Sequence, residues 1–220
     1  MIVQPPHPKL RDDIIDFYSA ELLKETGFDY RKQEQVYSSL GNTPGVYPDT
    51  LLLFSRLIKT YNLKKVVELG SGFSTLFFTH LGVELSSFEQ KPEYLELTKQ
   101  LLAKNNLPNN HISLKENITP ITGSSLEAAC LVADLIFVDC LDRKRWLTDP
   151  TWLYNSPIVI VDDMEFFGDG VLFDFMFKTK RPFFITYNGG GRTDRTEFIS
   201  YKFELTPDIK EVVAKGLGYL

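Results

Sequence analysis

Cysteine and histidine are scarce, with two and three copies in 220 residues. With no CxxC and no paired Cys/His spacing, the chain offers no zinc ligand set. Cys130 and Cys140 each sit in or beside an apolar run, where free cysteine behaves as a small hydrophobe, so both are expected as reduced packing residues. His7, His80 and His111 form no local cluster. No apolar run approaches the length of a membrane span. The opening MIVQPPHPKLRDD has prolines and mixed charge where a signal peptide has a basic and then an apolar region, so the expected location is the cytoplasm. A basic excess is missing as well: the net charge of -5 argues against general affinity for a nucleic-acid backbone. Internal repeats and low-complexity tracts are also missing.

What is present is ordinary for a soluble globular chain, 43% hydrophobic and 24% charged, and the length suits one α/β domain with an extension. Ile14, Phe17, Tyr18 and Leu22 fall at helical spacing and predict an amphipathic helix near the start. The polar stretch GFDYRKQEQVYSSLGNTPG follows. It reads as a short helix with loops, as a lid, or as a plain surface connection, the last being the expectation. Pro48 opens a helix with Leu51, Phe54, Ile58 and Tyr61 as its stripe. Pro92 opens another, with Tyr94, Leu97 and Leu101 inward and Asn105 and Asn106 as its stop. Strands are expected at the start of KVVELGSGFST, with Val66, Val67 and Leu69 as strand formers, at LSSFE ending on Glu89, at Ile112–Lys115, at ADLIFVD and at IVIVDD. A helix is expected over Phe166–Phe177. Two strands around the turn-rich NGGGRTDR predict a terminal antiparallel hairpin, and a short helix follows from about Pro207. The fold expected is a doubly wound α/β sheet, with residues 1–47 as a helical extension and 48–220 as the domain proper.

The stretch KVVELGSGFST organises the chain: a buried strand runs into a glycine turn and then a helix. Gly70 and Gly72 are expected to let the backbone turn sharply and approach a ligand, while Ser74 and Thr75 cap the helix. A dinucleotide fingerprint has G-x-G-x-x-G, but the third position here is Thr75. Glu68, two residues before the first glycine, would repel a pyrophosphate and favour a cationic ligand. S-adenosylmethionine (SAM), with a sulfonium and an ammonium and no phosphate, suits that turn. Glu89 lies 19 positions beyond Gly70, where a carboxylate can accept both hydroxyls of a ribose; the alternative is an acid capping the helix that starts near Pro92, and the ribose role is the expectation. Gln90 could lie against the adenine, and Asn117 could bond the purine or serve a turn.

ELGSGFST, the Glu89 spacing and the strands ADLIFVD and IVIVDD together resemble class I SAM-dependent methyltransferases over roughly Pro48–Phe203. The resemblance implies a seven-stranded Rossmann-like sheet whose last two strands form the hairpin. It further implies that Glu68, Gly70 and Gly72 shape the methionine pocket, that Ser74 contacts the methionine carboxylate, and that Glu89 holds the ribose. Within the family, Asp139, Asp162 and Asp163 stand where magnesium-dependent O-methyltransferases carry metal-binding acids. Clustered carboxylates at strand ends suit such an ion, which would lower the pKa of an acceptor hydroxyl. The alternative has Asp139 ordering the cofactor pocket while Asp162 and Asp163 end a strand and cap a helix, and the sequence leaves both open. Where catechol-type members have a lysine three residues after the first acid, this chain has Asp142. The basic run Arg143, Lys144, Arg145 is expected as a solvated helix face.

The function expected is methyl transfer from SAM to a small-molecule acceptor at oxygen, with Asp139 and Asp162 as the catalytic acids. A non-catalytic SAM-binding domain and a nicotinamide-dependent oxidoreductase are the alternatives.

Overall fold

The structure is a computed structural model that describes residues 8–114, 124–140, 153, 156–162, 183–188 and 195–201. Three helices come first, α1 (Pro8–Thr26), α2 (Tyr30–Ser39) and α3 (Pro48–Thr60). The order continues β1 (Lys65–Leu69), α4 (Phe73–Leu81), β2 (Glu84–Glu89), α5 (Pro92–Lys104), β3 (Ile112–Leu114), α6 (Ser125–Val132), β4 (Leu135–Val138) and β5 (Ile158–Val161). Two further strands, β6 (Phe183–Asn188) and β7 (Arg195–Tyr201), close the described chain. The expected helix over Phe166–Phe177, the run Arg143–Arg145 and the final helix lie outside the described residues.

Strands β1 to β5 run parallel, and β7 pairs antiparallel with both β5 and β6, giving the order β3-β2-β1-β4-β5-β7-β6. The inner strands β4 and β5 are buried along their whole length, as expected where helices cover both faces of a parallel sheet. Successive side chains of β1 point to opposite faces. Val66 joins a core built from α1 to α5, whereas Val67 and Leu69 join a second core with Leu126 and Cys130 of α6. Both cysteines are free and buried, and burial pushes the Cys130 thiol up to about 12.

The polar stretch after α1 is no surface connection. Asp29 caps α2 by accepting from Lys32 N–H at 3.0 Å. The helix then buries Tyr30 and Tyr37, at 1% and 4% exposure. Two aromatic rings replace the missing aliphatic stripe: Tyr30 lies edge-on to Phe73 at 5.3 Å, and Phe28, just before α2, is edge-on to Phe77 at 5.1 Å. Two other expected stripe residues are exposed, Phe17 on α1 and Tyr94 on α5. The buried positions of α5 are Thr98, Leu101 and Leu102, so its inward face is rotated from the expected one.

Candidate functional site

Parallel strands that end on one edge leave a crevice where the loops diverge. Here the loops after β1, β2 and β4 enclose a cavity of about 250 Å³. The turn Gly70–Ser74 forms its floor, Glu89 and Gln90 one wall, and Asp139 and Cys140 another. Tyr37, Asn42, Thr43 and Val46, from α2 and the segment leading to α3, close the remaining side. Tyr94 lies on the rim, and the Lys91 ammonium sits 5.1 Å from its ring centroid.

Gly70 is clamped between its neighbours. Its N–H donates to Phe88 O at 2.8 Å, and Asp139 N–H donates to Leu69 O at 2.8 Å. With φ at +97°, a Cβ at Gly70 would lie 2.3 Å from the Asp139 carbonyl oxygen. The close approach that requires glycine here is to the backbone leaving β4, not to a ligand. Gly72 is different: its φ of 172° is extended backbone, and among the described residues a Cβ there would meet only the Tyr37 hydroxyl, at 3.5 Å.

Glu68 is fully buried and does not line the crevice. Its side chain shares the Val66 face of β1 and accepts three hydrogen bonds of 2.6 Å, from Ser74 Oγ, Thr75 Oγ1 and Ser87 Oγ. Thr75 Oγ1 also accepts from Gly72 N–H at 2.8 Å. The acid expected to face a cationic ligand instead ties β1 to β2 and to the first turn of α4. Burial pushes its carboxyl up to about 7, although the three hydroxyls favour the charged form. The Ser74 hydroxyl, expected on the methionine carboxylate, is donated to Glu68, although Ser74 does line the crevice.

Glu89 closes the turn from the side. Its Oε2 accepts from Ser71 N–H at 2.8 Å and from Ser71 Oγ at 3.3 Å, and its Oε1 accepts from the N–H groups of Gln90 at 2.7 Å and Lys91 at 2.9 Å. A carboxylate offers about four such positions. The long Ser71 Oγ contact is the one a sugar hydroxyl would most easily displace.

Asp139 is partly exposed in the crevice wall. Asp162 is 2% exposed and does not line the crevice. The two follow the paired ends of adjacent strands, since Val138 lies opposite Val161 and Asp162 N–H donates to Val138 O at 3.0 Å. Asp163 and Asn117 lie outside the described residues. Among the described residues no group of three or more His, Cys, Asp or Glu is arranged to hold a metal.

Sequence reasoning missed Tyr37 and Asn42. Asn42 Nδ2 donates to the Tyr37 hydroxyl at 3.1 Å, and Asn42 Oδ1 accepts from Thr43 N–H at 2.9 Å. Burial pushes the Tyr37 phenol up to about 12; the Asn42 hydrogen bond opposes that shift, and the nearby Tyr94, Asp139 and Glu89 add to it. The signal available in the sequence was a pair of tyrosines seven residues apart, two helical turns, on an otherwise polar helix.

No protein-family model matches the chain, and no curated protein matches it in sequence. Solved structures do match. A protein described as a caffeoyl-CoA O-methyltransferase from Staphylococcus aureus superposes with a TM-score of 0.57 at 17% identity, over 87% of this chain and 99% of that one. An O-methyltransferase from Bacillus cereus in complex with SAH gives 0.53 at 15% identity, over 86% and 100%. The O-methyltransferase TomG from Streptomyces achromogenes, involved in tomaymycin synthesis and solved with SAM, gives 0.52 at 14% identity, over 79% and 89%. Identities this low establish the fold: the chain has the α/β Rossmann-like fold of these O-methyltransferases.

Proposed function

We propose that the chain binds SAM at the Gly70–Ser74 turn and transfers its methyl group to an oxygen of a small-molecule acceptor in the cytoplasm. The observation that carries the reading is the Glu89 carboxylate, fixed 2.8 Å from the turn backbone at Ser71 N–H, with both groups lining one crevice at the carboxyl edge of the parallel strands. When bound, SAM supplies an electrophilic methyl carried on a sulfonium.

The residues of the chain then bind, orient and move a proton. Glu89 holds the ribose hydroxyls, Gln90 lies against the base, and the turn from Gly70 to Ser74 takes the amino-acid end. Glu68 acts from below by fixing the first turn of α4. Asp139 stands across the crevice from Glu89, where a carboxylate can face an ammonium or accept the proton of an acceptor hydroxyl. Asp162 supports it from the neighbouring strand end. Holding donor and acceptor in line supplies much of the rate in such a site. The β6–β7 pair, in this reading, is the terminal hairpin of a methyltransferase sheet.

Asp139 and Asp162 are oxygen donors of the class that magnesium takes; together with Asp163, which lies outside the described residues, they are the residues that would hold such an ion, and it would lower the pKa of an acceptor hydroxyl. Titration calorimetry with SAM and with NAD, followed by a screen of acceptors with labelled methyl donor, tests the proposal. Binding of SAM with no transfer to any acceptor would favour a non-catalytic binding domain, and binding of NAD alone would overturn the reading.

A further inference from the structure

Tyr37 is 4% exposed, and its hydrogen bonding fixes which way its proton points. The Asn42 carbonyl oxygen is taken by Thr43 N–H, so the Asn42 amide group that meets Tyr37 is the donor. The phenolic oxygen is therefore an acceptor in that contact, and its own hydrogen is left for another partner. Among the described residues, no acceptor takes it. A buried hydroxyl with an unused proton is costly unless something occupies the space in front of it.

That space is the crevice. Tyr37 and Asn42 both line it, and a Cβ at Gly72 would sit 3.5 Å from the hydroxyl, so the phenol stands directly over the start of α4. The first-turn N–H groups of a helix lack intrahelical acceptors and favour an anion. A second kind of donor, from a different part of the chain, converges on the same point.

We infer that Tyr37, held by Asn42, donates a hydrogen bond to the carboxylate at the amino-acid end of the bound methyl donor. This rests on the SAM reading above. The ammonium of that end has no lone pair to accept a hydrogen bond, whereas the carboxylate does. With its pKa near 12, the phenol keeps its proton across the physiological range. The N-terminal helices thereby contribute a ligand contact as well as a cover.

Calorimetry with two thioethers tests this, SAH and 5′-methylthioadenosine, which lacks the amino-acid end. Tyr37→Phe keeps the ring packed on Phe73 and removes only the hydroxyl. It is expected to weaken SAH about ten- to hundred-fold, the loss of one hydrogen bond to a charged group, and to leave methylthioadenosine unchanged. Asn42→Asp should give the same selective loss, because the new carboxylate takes the Tyr37 proton. A melting curve for each variant checks that it is folded. If wild type binds SAH and Tyr37→Phe binds it equally well, the inference falls while the SAM reading stands. Equal weakening of both thioethers would show that Tyr37 shapes the pocket without touching the carboxylate. Failure of the wild type to bind either thioether would remove the SAM reading and this inference with it.

Discussion

A methyl group at Gly70 would lie 2.3 Å from the Asp139 carbonyl oxygen on a backbone with φ of +97°, so Gly70→Ala combines left-handed strain with a clash against main chain. A loss of about 3 kcal/mol is expected, read as a lower denaturant midpoint, while Gly72→Ala should fold normally; equal stability of the two variants would contradict the clamp. Glu68 gives a pH signature. Its carboxyl is raised from 4.5 to about 7 in the folded protein, so between those values the folded state holds a proton that the unfolded state has lost. Stability from this group is fully present below pH 4.5 and fades as pH rises through 7, by up to about 3 kcal/mol. Glu68→Gln, neutral throughout, should flatten that slope. Denaturant midpoints at pH 5 and 8 for both proteins measure the difference, and parallel slopes would exclude Glu68 as its source. An acid before the glycines was legible in the sequence, but its direction was not: both faces of β1 are covered, so alternation alone could not tell the crevice from the core.

Elements with continuous apolar runs were the legible ones. Strands such as IVIV and LIFV read correctly because a parallel strand buried on both faces has no room for polar relief. Helix α2 was one reading of its stretch but not the preferred one, for the converse reason: YRKQEQVYSS has little apolar content, and the worth of its two tyrosines comes from a single ring on α4, that of Phe73. Its start depends on a single cap. Asp29→Ala removes the acceptor for Lys32 N–H and should cost about 1 kcal/mol. Because α2 carries Tyr37 into the crevice wall, the expected readout is faster amide exchange across Tyr30–Ser39 together with weaker SAH binding. Faster exchange with unchanged affinity would detach the helix from the site.

For the whole molecule, the question is whether residues 1–47 form an appendage or part of the domain. Leu22, Phe28, Tyr30 and Tyr37 share one core with Phe54, Phe73 and Phe77, and Arg56 of α3 pairs with Glu25 of α1. Burying a large apolar side chain is worth roughly 1.5–3 kcal/mol, so four of them contribute about 8 kcal/mol before chain entropy is counted. That is comparable to the whole stability of an ordinary domain, about 5–15 kcal/mol. Deleting residues 1–47 would also bare the faces of Phe73 and Phe77 that Phe28 and Tyr30 cover. We therefore expect the shortened chain to give no cooperative thermal transition and to bind apolar dye, while the full chain melts in one step. A sharp melt in the shortened chain would instead mark the segment as a separable lid, leaving the sheet and α3 to α6 as a self-sufficient fold. SAH binding by that shortened protein would then measure directly how much of the crevice the lid supplies.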